Sequence, residues 1–336
     1  MTRFLPLFVL LTAASAACAD DLKRFEFEEP HMGTKFRIVL YAPDQATADK
    51  AAKAAFARVA ELNRLMSDYI PESELMRLCK KSEAKPAGPV KVSDDLFFVL
   101  AKAQEVSELS EGTFDVTIGP VVRLWRQARK DRQLPDAEER AAALKRVGYK
   151  HMVLDPKEKT VDLKISGMLL DLGGIAKGYA ADEALKVIAQ YGITSALVAA
   201  SGDIAVSAPP PGKPGWRIDI AALPGAKRTR QLLLKDMAVS TSGDAEQFVE
   251  IAGTRYSHIV DPRTGLGLTG RRSVTVVAPR GIQSDSLTKM ASILPPDEAI
   301  RKIESIDGAA TLIVVKKEKG EDVQQSKRFA GLLANE

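Results

Sequence analysis

Residues 168–182, Met-Leu-Leu-Asp-Leu-Gly-Gly-Ile-Ala-Lys-Gly-Tyr-Ala-Ala-Asp, place the tightest constraint on what this chain can fold into. An apolar run ends at Asp171, turns through Gly173 and Gly174, and enters a stretch from Ala176 to Gln190 whose Ala, Leu, Val and Ile positions suit a helix. The pattern predicts strand, glycine turn, helix start. Glycines at such a junction let a ligand approach the backbone, and a helix start offers unpaired N–H groups with a partial positive charge. A phosphate fits there. Lys177 adds a cation in the first turn, and Asp171 adds a carboxylate suited to Mg2+ or to a ribose hydroxyl. A plain β-to-α turn with a solvated lysine is the other reading of the same residues. Neither G-x-G-x-x-G nor G-x-x-x-x-G-K-[ST] occurs here, which argues against an ordinary dinucleotide fold or P-loop.

The chain opens Met1-Thr2-Arg3, continues with the apolar run Phe4 to Leu11, and then carries small residues to Ala19. This reads as a Sec-type signal peptide over residues 1–19 with an Ala17-Cys18-Ala19 cleavage region, so residues 20–336 are expected to work after export, in the periplasm. Cys18 leaves lipid anchoring as a second option, although Ser15 stands where a lipoprotein signal usually carries Leu. No later run approaches about 18 apolar residues, and no transmembrane span is expected. Basic and acidic residues are interspersed, with 48 Lys and Arg against 44 Asp and Glu, and even Lys316-Lys317-Glu318-Lys319 is interrupted, which excludes a nucleic-acid-binding stripe. Once Cys18 is removed, Cys79 has no intrachain disulfide partner. Stability must then come from a core, which 45% hydrophobic residues can supply.

Residues 24–29 and Lys35 to Ala42 read as strands joined tightly at Met32-Gly33. Ala52, Phe56, Val59, Leu62 and Met66 lie at helical spacing within residues 46–66, and a polar loop containing Tyr69 follows, a place where a flat ring could stack or simply anchor the loop. Ser93 caps a second helix with Asp94 and Asp95 in its first turn. The turn Gly112-Thr113-Phe114-Asp115 suits either a cap with a buried Phe or a binding loop. Residues 126–148 are charged and expected to be surface helix, and residues 152–164 a hairpin. Ala196 to Ala200, Trp216 to Ala221, Ala238 to Ser242, Phe248 to Ala252, Ser273 to Ala278 and Ala310 to Val315 read as strands. Residues 256–265 are dense in groups that donate, accept or titrate, and Asp285 lies near the start of a helix running to Leu294. Hairpins with few regular βαβ units favour an α+β fold, one catalytic domain of two lobes with mixed or antiparallel sheets flanked by helices.

Glycine turns for phosphate, acids for Mg2+, aromatics for stacking, one His and one Lys together suit phosphoryl-type transfer on a nucleotide. No zinc-spaced His/Cys cluster and no G-x-S-x-G is present.

Met32-Gly33-Thr34, Met66-Ser67-Asp68-Tyr69 with Ser73-Glu74-Leu75, Gly112-Thr113-Phe114-Asp115, and Asp171 through Asp182 occur in an order that resembles the ApbE family, FAD:protein FMN transferases. Ser242-Gly243-Asp244, Ser257 through Gly265 and Asp285 continue the resemblance, which spans nearly all of residues 30–320. It implies an exported enzyme that splits FAD at its pyrophosphate, places FMN in phosphoester linkage on a Thr or Ser hydroxyl of an acceptor protein, and releases AMP. It also implies that Met32, Tyr69, Thr113, Phe114, Asp115, Asp171, Lys177 and Ile259 contact FAD. Mg2+ would be held by Asp285, a backbone carbonyl near Gly174 and a late-helix hydroxyl, here Thr288. With Mg2+, Lys177 would draw charge from the pyrophosphate, and His258, held by Asp261, is the candidate base or its orienter. Three positions depart from the family pattern. Lys289 stands where a Thr is usual, and moving the hydroxyl to Thr288 turns it by about 100° on a helix. Cys79 replaces a common Asn, and Ser201-Gly202-Asp203 replaces Gly-Gly-Asp. A flavin binder without transfer activity, and a hydrolase that cuts FAD to FMN and AMP, are the alternatives.

Overall fold

The computed structural model describes residues 22–220, 223, 230–243 and 248–334. The expected signal peptide with Cys18, and Asp244, lie outside the described residues. The first half contains β1 (Lys23–His31), β2 (Thr34–Ala42), α1 (Gln45–Met66), α2 (Glu74–Lys81), β3 (Val90–Lys91), α3 (Asp94–Leu109), α4 (Gly119–Asp131), α5 (Ala137–Leu144), β4 (Met152–Asp155), β5 (Thr160–Leu163) and α6 (Ala176–Ala189). The second contains β6 (Ala196–Ala200), β7 (Asp203–Val206), β8 (Trp216–Ile220), β9 (Arg230–Leu234), β10 (Met237–Gly243), β11 (Phe248–Ile251), β12 (Thr254–Asp261), β13 (Leu266–Thr269), β14 (Arg272–Ala278), α7 (Gly281–Ile293), α8 (Pro296–Glu304), β15 (Ala310–Lys316) and β16 (Glu321–Gln325). The fold is α+β.

An eight-stranded sheet in the order β1-β2-β6-β7-β10-β14-β15-β16 is its spine, and each neighbouring pair is antiparallel. Strand alternation divides side chains between the two faces. Phe36, Ile38 and Leu40 of β2 with Val274 and Val276 of β14 join a core shared with α1, α3, α6 and α7, whereas Val39, Val277 and Leu312 join a second core with the β8–β9 hairpin and Phe329. A third cluster, around Val121 and Trp125 of α4 and Val249, Ile251 and Val260, packs α4 and α5 on the small β11-β12-β13 sheet. The Trp125 indole donates to the Gly265 carbonyl at 2.8 Å and ties that sheet to α4.

Residues 168–172, expected to be a strand, make only an isolated parallel bridge between Leu169 and Ile118. The segment has backbone partners on one side: Gly119 N–H donates to Leu169 O at 3.1 Å, and Asp171 N–H donates to Val116 O at 2.8 Å. Met168, Leu170 and Leu172 are buried, and burial alone does not make a ladder. The charged stretch 126–148 splits into α4 and α5 around Pro135.

The helix crossing that positions the site depends on two glycines. A Cβ on Gly178 of α6 would stand 2.0 Å from Gly281 O, and one on Gly281 would stand 2.4 Å from Gly178 O. The backbones of α6 and α7 therefore touch, as only glycine permits. Asp182 of α6 caps α7 from outside it, accepting from the N–H groups of Gly281 at 2.7 Å and Ile282 at 3.0 Å.

Candidate active site

Because α6 and α7 cross so closely, Asp285, one turn into α7, lies against the first turn of α6, where its Oδ2 accepts from Gly178 N–H at 3.1 Å. Asp285 is fully buried, and its Oδ1 has no hydrogen-bond partner. Lys177, one residue earlier on α6, sends its ammonium to Asp203, which begins β7 directly after the Ser201-Gly202 turn. Burial pushes the Lys177 pKa down, but Asp285 and Asp203 outweigh it and hold the ammonium above the usual lysine range. Burial likewise pushes Asp203 up, yet Lys177 and Lys289 hold it below the usual carboxylate range. Asp285 goes the other way: burial first, then the charge of Asp203, raises it. Gly202 is required by contact, since a Cβ there would stand 2.6 Å from Thr241 O of β10. Ser201 takes the left-handed conformation, φ +58, which costs a non-glycine residue about 1 kcal/mol.

The glycine turn itself closes beside this cluster. Asp171 Oδ1 accepts from Gly173 N–H at 2.8 Å, and the N-cap residue of α6, Ile175, offers no side-chain cap, so the side chain serving that first turn is Asp285 from α7. Gly174 lies between two side chains, for a Cβ there would be 3.5 Å from Phe114 Cε2 and 3.0 Å from Lys289 Cγ. The loop bearing Phe114 is set by Asp115, which accepts from Thr117 N–H at 2.8 Å, the Thr117 hydroxyl at 2.7 Å and Tyr149 N–H at 2.8 Å. Thr113 and Asp115 are buried in that loop, and burial raises the Asp115 carboxyl. On the outer side, Arg126 of α4 donates to Asp68 at 2.6 Å and Asp171 at 3.1 Å, while its guanidinium lies 4.1 Å from the centre of the Tyr69 ring. Burial, then the neighbouring Asp68, raises Asp171. Tyr69 remains 74% exposed, a flat ring braced on one face.

The structure thus brings Phe114, Asp171, Gly174, Lys177 and Asp285 together, with Tyr69 joined to Asp171 through Arg126. Met32 lies in the two-residue β1–β2 turn at φ +49, and Ile259 is buried on β12, two separate elements. His258 is half-buried on β12. The Asp261 carboxylate accepts from Arg263 Nη2 at 2.8 Å, Nε at 3.0 Å and the Arg263 N–H at 2.9 Å. The β12–β13 register shifts between Tyr256 and Val260, on either side of His258. Cys79 is buried in α2, where its sulfur accepts from Leu170 N–H at 3.4 Å and burial pushes the thiol up to about 11. The residue order gives Arg126 no role and carries Asp68 and Asp182 only as members of longer motifs. Arg126 falls in a charged run that looks like solvated helix, and an external cap such as Asp182 leaves no local signature.

Mg2+, implied by the resemblance, takes about six oxygen ligands. The orphaned Oδ1 of Asp285 has the character of a ligand. Yet the Lys289 ammonium stands 3.3 Å from it, and the Thr288 hydroxyl donates to Ser284 O at 2.5 Å and faces Ser240 O at 3.4 Å. Among the described residues no group of three or more His, Cys, Asp or Glu is arranged to hold a metal. In this arrangement the residues do not fit a resident divalent ion.

The ApbE family profile matches residues 32–313. An FAD:protein FMN transferase of Haemophilus influenzae is 30% identical over 96% of both chains, and one of Klebsiella pneumoniae is 29% identical over 91% of this chain and 88% of its own. Among solved structures, the flavin transferase ApbE of Vibrio cholerae superposes with a TM-score of 0.83 at 29% identity, covering 93% of this chain and all of its own. The ApbE protein of Thermotoga maritima gives 0.82 at 29% identity, again over 93% of this chain. A glycine turn and buried lysine–carboxylate cluster on this α+β scaffold define an enzyme of the flavin-transferase class. The chain belongs to the ApbE family.

Proposed function

We propose that the protein is an FAD:protein FMN transferase that cleaves the FAD pyrophosphate, attaches FMN to a Thr or Ser hydroxyl of an acceptor protein and releases AMP. The observation that carries this reading is the meeting of a glycine-entered helix start, which has no side-chain cap from its own N-cap residue, with Lys177 and Asp285 in one buried cluster. A dianionic pyrophosphate at the residue 173–177 turn would meet helix N–H dipoles and the Lys177 ammonium together, so charge building on the bridging oxygen is stabilised without reorganisation. The acceptor Oγ forms a bond to the FMN phosphorus, the bond from that phosphorus to the bridging oxygen breaks, and AMP leaves with that oxygen. The hydroxyl proton passes to a base, for which His258 is the candidate. Tyr69, braced by Arg126, supplies a stacking face at the mouth. Phe114 lines the turn.

The opening residues support export to the periplasm, with the protein either free or lipid-anchored at Cys18, and an acceptor protein in the same compartment. The test is incubation of the purified protein with FAD and an acceptor bearing a candidate Thr. Covalent flavin on the acceptor, removed by Thr→Ala in the acceptor, is expected together with AMP. Free FMN with AMP would make it a hydrolase, and unchanged bound FAD would make it a binder.

A further inference from the structure

We propose that Lys289 is the resident cation of this pocket: its ammonium occupies the place beside Asp285 that a divalent ion would take, and with Lys177 it grips the two linked phosphates of the flavin nucleotide. This rests on the flavin-transferase reading for the identity of the ligand, but not for the occupancy of the pocket.

Four features of the structure converge on it. Lys289 follows Asp285 by four residues on α7, the spacing that stacks two side chains on one helix face, and its Nζ lies 3.3 Å from Asp285 Oδ1. That oxygen has no hydrogen-bond donor, so the ammonium is its compensating charge. Second, Nζ also donates to Ser242 Oγ at the end of β10 at 2.6 Å, which fixes the ammonium between α7 and the sheet. Third, the lysine stem crosses the glycine turn, with Cγ 3.0 Å and Cε 3.8 Å from where a Gly174 Cβ would be. The absence of a side chain at Gly174 is what lets the stem pass and brings the charge to the phosphate side of the turn. Fourth, the Thr288 hydroxyl, which could have served as an oxygen ligand, is turned to the Ser284 and Ser240 carbonyls.

The charges then balance within the cluster. Lys177 and Lys289 face Asp203 and Asp285, and Lys289 also acts on Asp203 through space. A divalent ion entering beside Asp285 would have to displace the ammonium or sit against it, and like charges at that distance in a buried site repel strongly. Binding of the pyrophosphate needs no such ion, because two ammonium groups already flank Asp285 and can turn donors to phosphate oxygens.

The experiment is Mn2+ titration of the full protein, followed by electron paramagnetic resonance, with FAD affinity measured separately in EDTA. Lys289→Thr and Lys289→Met, the second keeping the stem over Gly174, are expected to bind Mn2+ at least about tenfold more tightly than the parent. Adding Asp285→Asn to Lys289→Thr is expected to erase that gain. Parent FAD affinity is expected to change by less than about twofold in EDTA. Parent Mn2+ affinity equal to that of both variants, or loss of parent FAD binding in EDTA, would overturn the proposal. A gain of metal binding cannot come from misfolding, and the parent measurement in EDTA needs no variant. Absence of FMN on any acceptor, with these binding results intact, would strike the transfer reading and leave the assignment of Lys289 in place.

Discussion

Gly178→Ala tests the contact on which the site is built. The added methyl would stand 2.0 Å from Gly281 O, 2.4 Å from its carbonyl carbon and 2.9 Å from Asp285 Cβ. Carbon and oxygen tolerate separations down to about 3.3 Å, so α6 and α7 must part by more than about 1 Å. Neither neighbouring group is the end of a flexible side chain, and the strain cannot be relieved locally. Overpacking of this kind costs about 1–3 kcal/mol. Parting the helices also weakens the bond from Gly178 N–H to the buried Asp285 carboxylate, a charge-assisted bond of about 1.5–3 kcal/mol. Replacing a helical glycine returns about 1 kcal/mol. A net loss of about 3 kcal/mol follows, read in urea denaturation as a lower midpoint with unchanged slope. FAD affinity should fall with it, because Lys177 and Asp285 are carried by the two helices that separate. A variant within about 0.5 kcal/mol of the parent would refute the crossing as described.

Other perturbations probe separate parts of the site. Asp203→Asn should destabilise the protein by about 3 kcal/mol near neutral pH, because it strands the Lys177 ammonium. The Asp203 carboxyl is held below its ordinary 3.8, so its stabilisation is complete above that pH and is lost as pH falls through the lower folded value. The difference between parent and variant in urea should accordingly shrink toward pH 3, and a pH-independent difference would contradict it. Tyr69→Ala should leave stability within about 0.5 kcal/mol, since the ring is largely exposed, but weaken FAD binding about tenfold, with Tyr69→Phe close to the parent. His258→Ala should lower the rate of FMN transfer by about 10²-fold or more while FAD still binds, and undiminished transfer would remove His258 as the base.

Much of this scaffold is legible in the residue order, for identifiable reasons. The α1 helix declares itself through Ala52, Phe56, Val59 and Leu62, all buried, and Ser93 caps α3 by accepting from Leu96 N–H at 3.3 Å. These are local signals of period and capping. The glycine turn before α6 was also readable, because Gly173-Gly174 and Lys177 share a few residues of chain. What depended on tertiary contact was not. Residues 168–172 look like a strand but find a ladder partner only at one bridge, a matter of what lies beside them. The helix α2, capped by Ser73 accepting from Met76 N–H at 3.0 Å, is hidden in a polar stretch. Arg126 becomes functional in appearance only when α4 brings it over Tyr69 and between Asp68 and Asp171. The sequence marks Lys289 as unusual, yet its place between Asp285, Ser242 and Gly174 follows from the packing of α7 against β10.

Diffraction from crystals soaked in FAD addresses the phosphate grip most directly. The two linked phosphates are predicted at the turn formed by Gly173 and Gly174, with Lys177 Nζ about 2.7–3.2 Å from a phosphate oxygen and Lys289 beside it. Phosphates bound away from that turn, with Asp285 and both lysines left in their present pairing, would contradict the account.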